Sequence, residues 1–366
     1  MNLGEQIQLK DLKIRNRIWL PPMCQYQARN RDGMPRMWHA VHYGARAAGG
    51  FGLIIAEASG VVPEGRISPY CTGIWSAEHA RAWAPIVEFA HQMGAAMGIQ
   101  LNHAGRKAST YPMLPDNAGR GTIPVAEGGW ETVGPSAIAA DRQAAPRAMT
   151  LEEVRAVPGQ FADAARHAVD AGFDCVEIHG AHGYLLHQFL SPMSNQRDDE
   201  YGGDFEGRTR LLLEVVEAVR AAIPEGMPLL VRLSATDWVE PEGWRTEDSE
   251  RLAPLLREAG VDLIDVSTGG NVSADIPVRP GYQVDVARRV REAGGLPTAA
   301  VGLLLSATQA QEVLDSGAAD AVLIGRAALR NSEWAIDALE ELGATEDELP
   351  WPESYFRGWK GVQRRG

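Results

Sequence analysis

Eight short apolar runs, separated by amphipathic segments, limit the folds open to this chain more than any other feature. Apolar residues follow one another in each run without alternation, which is typical of strands covered on both faces in a parallel sheet. The runs lie at residues 18–22, 52–58, 97–103, 174–178, 229–233, 263–267, 298–301 and 321–324. Eight strands alternating with helices predict a closed (β/α)8 barrel. The alternative is a doubly wound α/β sheet, but its usual Gly-rich nucleotide loop is replaced after the first run by Pro-Pro-Met-Cys.

The regions outside this repeat predict two additions to the barrel. Residues up to about 15 alternate weakly, and we expect a small N-terminal hairpin that closes the bottom of the barrel. Residues 104–149, after the third strand, form an insertion rich in Gly, Pro and Ala that is far longer than a usual connection. Such loops generally form lids or substrate walls, and a solvated excursion is the alternative. We expect one domain over residues 1–366, with a C-terminal tail from about 350.

Capping patterns mark several of the predicted helix starts. Thr150 opens a Thr-x-x-Glu capping box, and Ser306 opens the equivalent pattern with Gln in the third position. Ser76 and Thr246 are further N-cap candidates because each hydroxyl precedes an amphipathic segment.

Charge and cysteine usage exclude several classes of protein. The net charge of -13 argues against nucleic acid or an anionic membrane as a partner. No apolar run approaches the roughly 20 residues that span a bilayer, and the first ten residues do not resemble a secretory signal. The three cysteines, Cys24, Cys71 and Cys175, are too few for a disulfide framework or a Cys-ligated iron–sulfur cluster. These features predict a cytoplasmic protein.

The stretch HGAHGYLLHQFLSPMSNQRDDEYGG, residues 179–203, gathers polar residues directly after the fourth predicted strand. His179, His182 and Tyr184 lie within six positions, where the C-terminal end of a barrel strand carries an active site. The alternatives are hydrogen-bonded structural histidines and a metal site, because imidazoles are common ligands. The stretch lacks an HExxH pattern and has no Asp or Glu between the two histidines, so we predict no metal.

Two polar residues inside apolar strands predict a bound cofactor. Arg232 interrupts the fifth strand and Gln100 the third, and a buried guanidinium or amide is costly unless it is paired or faces a ligand. Gly302 and Gly325 follow the seventh and eighth strands, where free backbone N–H groups often bind phosphate, although glycine is also common in tight turns. A flat polar cofactor with a phosphate tail would satisfy all four residues together.

Five segments carry a family resemblance: PPMCQY at 21–26, HYGARAAGGFGLIIAEA at 42–58, IQLNHAGRK at 99–107, the stretch at 179–203 and IGR at 324–326. With them the chain resembles the Old Yellow Enzyme family of FMN-dependent ene-reductases, and most of all the bacterial branch with a cysteine beside the flavin. The resemblance implies non-covalent FMN and NADPH as reductant. It implies that FMN contacts Pro22, Met23, Cys24, Ala58, Gln100, Arg232, Val301, Gly302, Gly325 and Arg326.

The resemblance also implies a reaction. His179 and His182 would donate hydrogen bonds to the carbonyl or nitro oxygen of an activated alkene, flavin N5 would transfer hydride to the β-carbon, and Tyr184 would protonate the α-carbon. Tyr26 would hydrogen-bond the ligand. The implied enzyme is an NADPH dehydrogenase that reduces the C=C bond of α,β-unsaturated carbonyl and nitro compounds. The alternatives are a flavin-binding protein without turnover and a metal-dependent barrel hydrolase that uses His179 and His182.

The C-terminal residues add an expectation about assembly. Tyr355, Arg357, Gly358 and Trp359 resemble the Tyr-x-Arg-Gly-Trp ending of this branch. The resemblance implies that Arg357 and Trp359 reach the flavin site of a neighbouring subunit in a homodimer or homotetramer. A solvated tail is the alternative.

Overall fold

A closed parallel barrel forms the centre of the protein. The computed structural model describes residues 1–115 and 119–358. Their strands, in chain order, are β1 Ile7–Leu9, β2 Leu12–Ile14, β3 Ile18–Leu20, β4 Leu53–Gly60, β5 Ala96–Asn102, β6 Val133–Gly134, β7 Arg147–Ala148, β8 Cys175–Gly180, β9 Leu229–Ser234, β10 Leu263–Ser267, β11 Thr298–Ala300 and β12 Ala321–Leu323. Within those described ranges, eight strands close the barrel in the order β3-β4-β5-β8-β9-β10-β11-β12. The predicted (β/α)8 barrel is confirmed.

Helices connect successive barrel strands and cover the barrel from outside. They are α1 Met37–Ala48, α2 Ala77–Gln92, α3 Leu151–Asp170, α4 Leu185–Leu190, α5 Phe205–Ala222, α6 Thr246–Glu258, α7 Val284–Gly294, α8 Ala307–Asp315, α9 Arg326–Arg330 and α10 Trp334–Glu341. The Thr150 capping box is present, and Ser306 accepts from the third backbone N–H of α8. The prediction for Thr246 was wrong because Arg245 is the N-cap of α6. None of the helices described is long and apolar enough to cross a membrane.

The N-terminal hairpin closes the bottom of the barrel, as predicted. Strands β1 and β2 pair antiparallel, and their apolar side chains Ile7, Leu9 and Ile14 pack against Trp19 inside the barrel. The first barrel strand is shorter than predicted: β3 ends at Leu20 because the two prolines that follow have no backbone N–H for a sheet.

The insertion folds over the opposite, C-terminal end. It is mostly irregular, with short 3-10 turns and the two-residue pair β6–β7. The side chain of Arg106, near the start of the insertion, is buried. It donates to the backbone carbonyls of Ile138, within the insertion, and of Asn271, after β10. The indole N–H of Trp130 donates to the carbonyl of Glu64 at 2.8 Å. These contacts fix the insertion above the strand ends.

Side chains that point into the barrel change from apolar to polar toward its C-terminal end. Alternate residues of a strand face the same side. In β9 the inward side chains run Leu230, Arg232, Ser234, and Leu230 packs in the apolar layer above the hairpin. The inward side chains of strand β10 follow the same order of apolar, charged and hydroxyl residues, with an acid in the middle: Leu263, Asp265 and Ser267. The barrel therefore has an apolar floor, a charged middle layer and a polar rim.

Candidate active site

The middle layer joins four polar side chains on adjacent strands. Gln100 lies beside Glu177, and Arg232 lies beside Asp265, in the register of the barrel. The Gln100 amide donates to a Glu177 carboxylate oxygen at 2.7 Å, and Arg232 Nε lies 3.0 Å from Asp265 Oδ2. The predicted need of Gln100 and Arg232 for buried partners is met partly by two acids that the sequence analysis did not single out.

The two acids of this layer do not carry full charge together. Burial, with the nearby Asp265 charge, raises the pKa of Glu177 well above its ordinary value. Burial raises the pKa of Asp265 to about 6, and Arg232 opposes that rise. Like charges this close disfavour double ionisation. Asp265, the acid in direct contact with Arg232, offsets part of the guanidinium charge.

Arg232 also lines a cavity of about 230 Å³ that opens at the ends of β9 to β12. Its lining includes Ser267, Gln283, Val301, Gly302, Gly325 and Arg326. A side chain at Gly302 would need a strained backbone, because its φ is 137°, and its Cβ would lie 3.3 Å from Gln283 Nε2. The slot is surrounded by two arginines, a hydroxyl, an amide and the glycine backbone. Such groups suit a flat polar ring with an anionic tail, so these residues fit FMN.

The loop after β3 reaches the same place. A Cβ on Gly325 would lie 3.6 Å from Met23 Sδ, so Met23 sits beside the end of β12. Cys24 and Tyr26 pack with Ala58 and Tyr184 in one cluster. A hydrogen bond with Cys71, together with burial, raises the pKa of the Cys24 thiol well above its ordinary value. The fold thus brings the predicted segments 22–26, 58 and 184 together.

The two histidines form a pair at the end of β8. The ring centres of His179 and His182 are 5.2 Å apart, and His179 Nε2 lies 3.4 Å from His182 Nδ1. The Ala181 backbone N–H donates to His179 Nδ1 at 3.3 Å. On the far side, His182 Nε2 lies 2.7 Å from Ser267 Oγ. The pair is anchored at both outer nitrogens, and its inner nitrogens face one another.

Burial keeps these imidazoles uncharged. It lowers the pKa of both His179 and His182 well below the ordinary value, and the Arg232 charge lowers both further. Because Ala181 donates to Nδ1, the proton of neutral His179 lies on Nε2, toward His182. The pair is therefore uncharged, and His179 Nε2 is a hydrogen-bond donor on its inner side.

Tyr184 and Lys107 complete the polar end of the site. The Tyr184 ring lies 5.0 Å from the His179 ring, and burial raises the pKa of its phenol well above the ordinary value. Lys107 Nζ lies 5.1 Å from the centre of the Tyr184 ring and donates to the carbonyls of His182 and Gly270. Burial, with Arg106, lowers the pKa of Lys107 to about 8. At neutral pH the Lys107 ammonium is therefore still mostly protonated, and it lies over the Tyr184 ring.

A second cavity, of about 550 Å³, lies above Tyr184. Tyr26 and Tyr184 line it from the loops after β3 and β8, and residues of the insertion, among them Lys107, Tyr111 and Met113, form the rest of its wall. The insertion therefore forms a wall of a cavity that also contains Tyr26 and Tyr184.

The predicted subunit contact is only partly described. Arg357 lies in a 3-10 turn, Glu353–Gly358, on the surface. Trp359 falls outside the described residues.

Several side chains near the site were not predicted, and the sequence pattern that could have identified each of them differs in strength. Glu177 and Asp265 are charges inside apolar strands, the same signal that identified Arg232. Ser267 and Gln283 gave no signal, because a hydroxyl at a strand end and an amide before a helix are ordinary. Lys107 lay within a matched segment, yet its contact with Tyr184 depends on how the loop after β5 turns.

His103, at the end of β5, yields a prediction about stability. It is buried, and burial lowers its pKa from the ordinary 6.5 to about 4. Between about pH 4 and pH 6.5, His103 is protonated in the unfolded chain but not in the folded protein. The stability that His103 contributes is therefore complete above about pH 6.5 and is lost as the pH falls toward 4. The slope is up to about 1.4 kcal/mol per pH unit. We expect His103→Gln to flatten the pH dependence of denaturant unfolding by about this amount; an unchanged slope would contradict the shift.

Comparison with known proteins identifies the family. The sequence model of the NADH:flavin oxidoreductase / NADH oxidase family matches residues 2–344. The chain belongs to this family. It is 45% identical to the NADPH dehydrogenase of Geobacillus thermodenitrificans (strain NG80-2) over 352 residues, which is 96% of each chain. It is 44% identical to the NADPH dehydrogenase of Bacillus subtilis (strain 168) over 354 residues, covering 96% of this chain and 98% of the other.

Solved structures agree with this assignment. An old yellow enzyme homologue from Zymomonas mobilis superposes with a TM-score of 0.78 at 31% identity, covering 96% of this chain and 97% of the other. Morphinone reductase in complex with tetrahydroNAD superposes with a TM-score of 0.76 at 28% identity, covering 94% and 92%. The predicted Old Yellow Enzyme membership is confirmed. The protein is an FMN-dependent oxidoreductase that uses NADPH as its reductant.

The metal-dependent hydrolase is not supported. Across residues 1–115 and 119–358, the one group of three close His, Cys, Asp or Glu ligands is Cys24, Glu57 and Cys71. His179 and His182 have no third ligand in that part of the chain, and the family carries out redox chemistry.

Proposed function

We propose that the protein is an NADPH-dependent ene-reductase, which reduces the C=C bond of α,β-unsaturated carbonyl and nitro compounds. The observation that carries the proposal is the constellation of two uncharged histidines and one tyrosine, with ring centres 5.0 to 5.2 Å apart, at the strand ends next to the cofactor cavity. When bound, FMN supplies hydride transfer. The protein must supply polarisation of the substrate and a proton.

The inner nitrogens of the histidine pair suit a substrate oxygen. His179 Nε2 carries a proton. The Ser267 hydroxyl donates to Gln283 Oε1 at 3.3 Å, so in the free site it accepts from His182 Nε2. His182 Nδ1 would carry the proton once Ser267 turned its hydroxyl toward Nε2. Both then donate to one carbonyl or nitro oxygen, which withdraws electrons from the conjugated C=C bond and makes the β-carbon electrophilic. The imidazole N–H groups are engaged in hydrogen bonds to this oxygen. The proton that the α-carbon needs must therefore come from another residue.

Tyr184 is the proton donor in this proposal. Its high pKa keeps the phenol protonated at any working pH, and its ring lies against His179. A proton lost to the α-carbon would leave a buried phenolate, and the Lys107 ammonium, 5.1 Å from the centre of that ring, would stabilise it. Tyr26, in the same cavity, would hydrogen-bond the ligand.

The cofactor-binding residues remain those of the sequence analysis, with additions from the cavity. Arg232 would hold the polar edge of the flavin ring with Gln100, and Pro22, Met23, Cys24 and Ala58 would hold the opposite side. Gly302, Gly325 and Arg326, with Val301, would bind the phosphate end. Ser267 and Gln283 line the slot between these ends.

The nicotinamide and the alkene would share one site. The relatives named NADPH dehydrogenase favour NADPH as the reductant. The 550 Å³ cavity, lined by Tyr26 and Tyr184, would receive each of the two substrates in turn. A single FMN-binding domain over residues 1–366, a homodimer or homotetramer with Arg357 and Trp359 at the neighbouring flavin site, and a cytoplasmic location remain predictions.

The visible spectrum of the purified protein tests the proposal. We expect a yellow protein that bleaches when NADPH is added without oxygen and regains its colour when cyclohexenone follows. A yellow protein that bleaches but recovers only with oxygen would contradict alkene reduction. A yellow protein that never bleaches would favour the alternative of flavin binding without turnover.

A further inference from the structure

Two of the three cysteines meet beside a buried carboxylate. The sulfur atoms of Cys24 and Cys71 and a carboxylate oxygen of Glu57 all lie within 4.8 Å of one another. Cys71 and Glu57 are fully buried, and Cys24 is partly exposed. Cys24 follows β3, Glu57 belongs to β4, and Cys71 lies in the loop before α2. Three separate segments thus deliver their donor atoms to one point.

Backbone hydrogen bonds fix the segments that carry these donors. The backbone N–H of Ala28 donates to the carbonyl of Tyr70 at 3.0 Å, which ties the Cys24 loop to the Cys71 loop. The N–H of Gly60 donates to the carbonyl of Thr72 at 2.9 Å, which ties the Cys71 loop to the end of β4. The three donors are therefore held together by the fold before any ligand arrives.

Outer contacts orient the Glu57 carboxylate. The backbone N–H of Gln25 donates to Oε2 at 3.0 Å, and His39 Nε2 lies 3.2 Å from Oε1. The Tyr43 hydroxyl lies 3.5 Å from the same Oε1. Carboxylates that ligate metals are usually held by such second contacts, which fix the direction of the remaining lone pairs.

We propose that Cys24, Cys71 and Glu57 bind one thiophilic divalent cation of the zinc and cadmium type. Two sulfurs and a carboxylate oxygen are donors that such ions take. With metal–sulfur bonds of about 2.3 Å, tetrahedral donors stand roughly 3.8 Å apart, which the 4.8 Å limit accommodates with little movement. Three protein donors leave the fourth tetrahedral position to water or an added ligand.

Cys24 directly follows Met23, which lies beside Gly325 at the proposed flavin slot, so binding of a cation would affect that slot. Because Cys24 belongs to the loop proposed to contact FMN, a bound cation would draw its sulfur toward Cys71 and inhibit the enzyme. The inhibition rests on the proposed function, whereas cation binding does not. We expect a chelator to restore activity.

Equilibrium dialysis of the holoenzyme against Cd²⁺ tests the site directly. We expect one Cd²⁺ per chain, with ultraviolet difference absorbance from cadmium–thiolate bonds. Cys71→Ala and Cys71→Ser should each weaken binding by at least about 100-fold, because losing even a hydrogen-bond partner of a ligand costs roughly 10- to 100-fold. Cys175→Ala is the matched control: Cys175 is buried in β8 and lies outside the three-donor group.

Two results would overturn the site. One is Cd²⁺ affinity that survives both Cys71 substitutions or falls equally in Cys175→Ala. The other is a chain lighter by two hydrogens, with Cys24 linked to Cys71 and no Cd²⁺ bound, which would mean that the pair oxidises instead. Dialysis reads binding whether or not the protein reduces cyclohexenone, so failure of the proposed function leaves this test intact.

Discussion

Tyr184→Phe is expected to slow alkene reduction by about 10²- to 10⁴-fold, the usual contribution of a positioned general acid. The substitution removes the phenol proton and leaves the ring packed against His179. Bleaching by NADPH should keep its wild-type rate, because hydride uptake needs no proton from the protein at this position. The loss should therefore fall on one half-reaction.

Stopped-flow absorbance separates the two half-reactions of this variant. The rate of bleaching with NADPH and the rate of recolouring with cyclohexenone are measured in turn without oxygen. Tyr201→Phe is the matched control, since the Tyr201 hydroxyl donates to Glu214 away from the site. Equal loss in both half-reactions would remove Tyr184 from its role as proton donor.

Sequence patterns predicted the barrel because each strand is short, apolar and covered on both faces. The strand ends were less certain: periodicity did not register that Pro21 and Pro22 stop β3 two residues early. Arg232 could be recognised because a charge in an apolar strand demands a partner. The same reasoning applied to Glu177 and Asp265 would have found the whole charged layer.

The parts that sequence patterns did not reach are those made by tertiary contact. Lys107 lies against Tyr184 because the chain after β5 turns back toward α4, and no local pattern encodes that turn. Cys24 and Cys71 are 47 positions apart in the sequence, and their sulfurs meet through loop pairing such as that between Ala28 and Tyr70. The insertion has too little regular structure for periodicity to describe it.

The second large effect is expected from His182→Ala, with about 10²- to 10³-fold slower alkene reduction, the usual cost of one donor to a developing negative charge. The variant loses the donor to the substrate oxygen and the contact with Ser267. It should also lose the long-wavelength colour that phenols produce with the bound flavin, which titration with p-hydroxybenzaldehyde measures.

His182→Asn separates the lost donor from damage to the backbone. Residue 182 has a φ of 57°, in the left-handed region, where asparagine is well tolerated and alanine is strained. An Asn amide can donate to the same oxygen, so His182→Asn should keep phenol binding and most of the alkene reduction that His182→Ala loses. If both variants lose phenol binding to the same extent while still holding FMN, the imidazole is needed for something other than a hydrogen bond to the substrate. If neither loses it, His182 lies outside the substrate site, and His179 alone polarises the alkene.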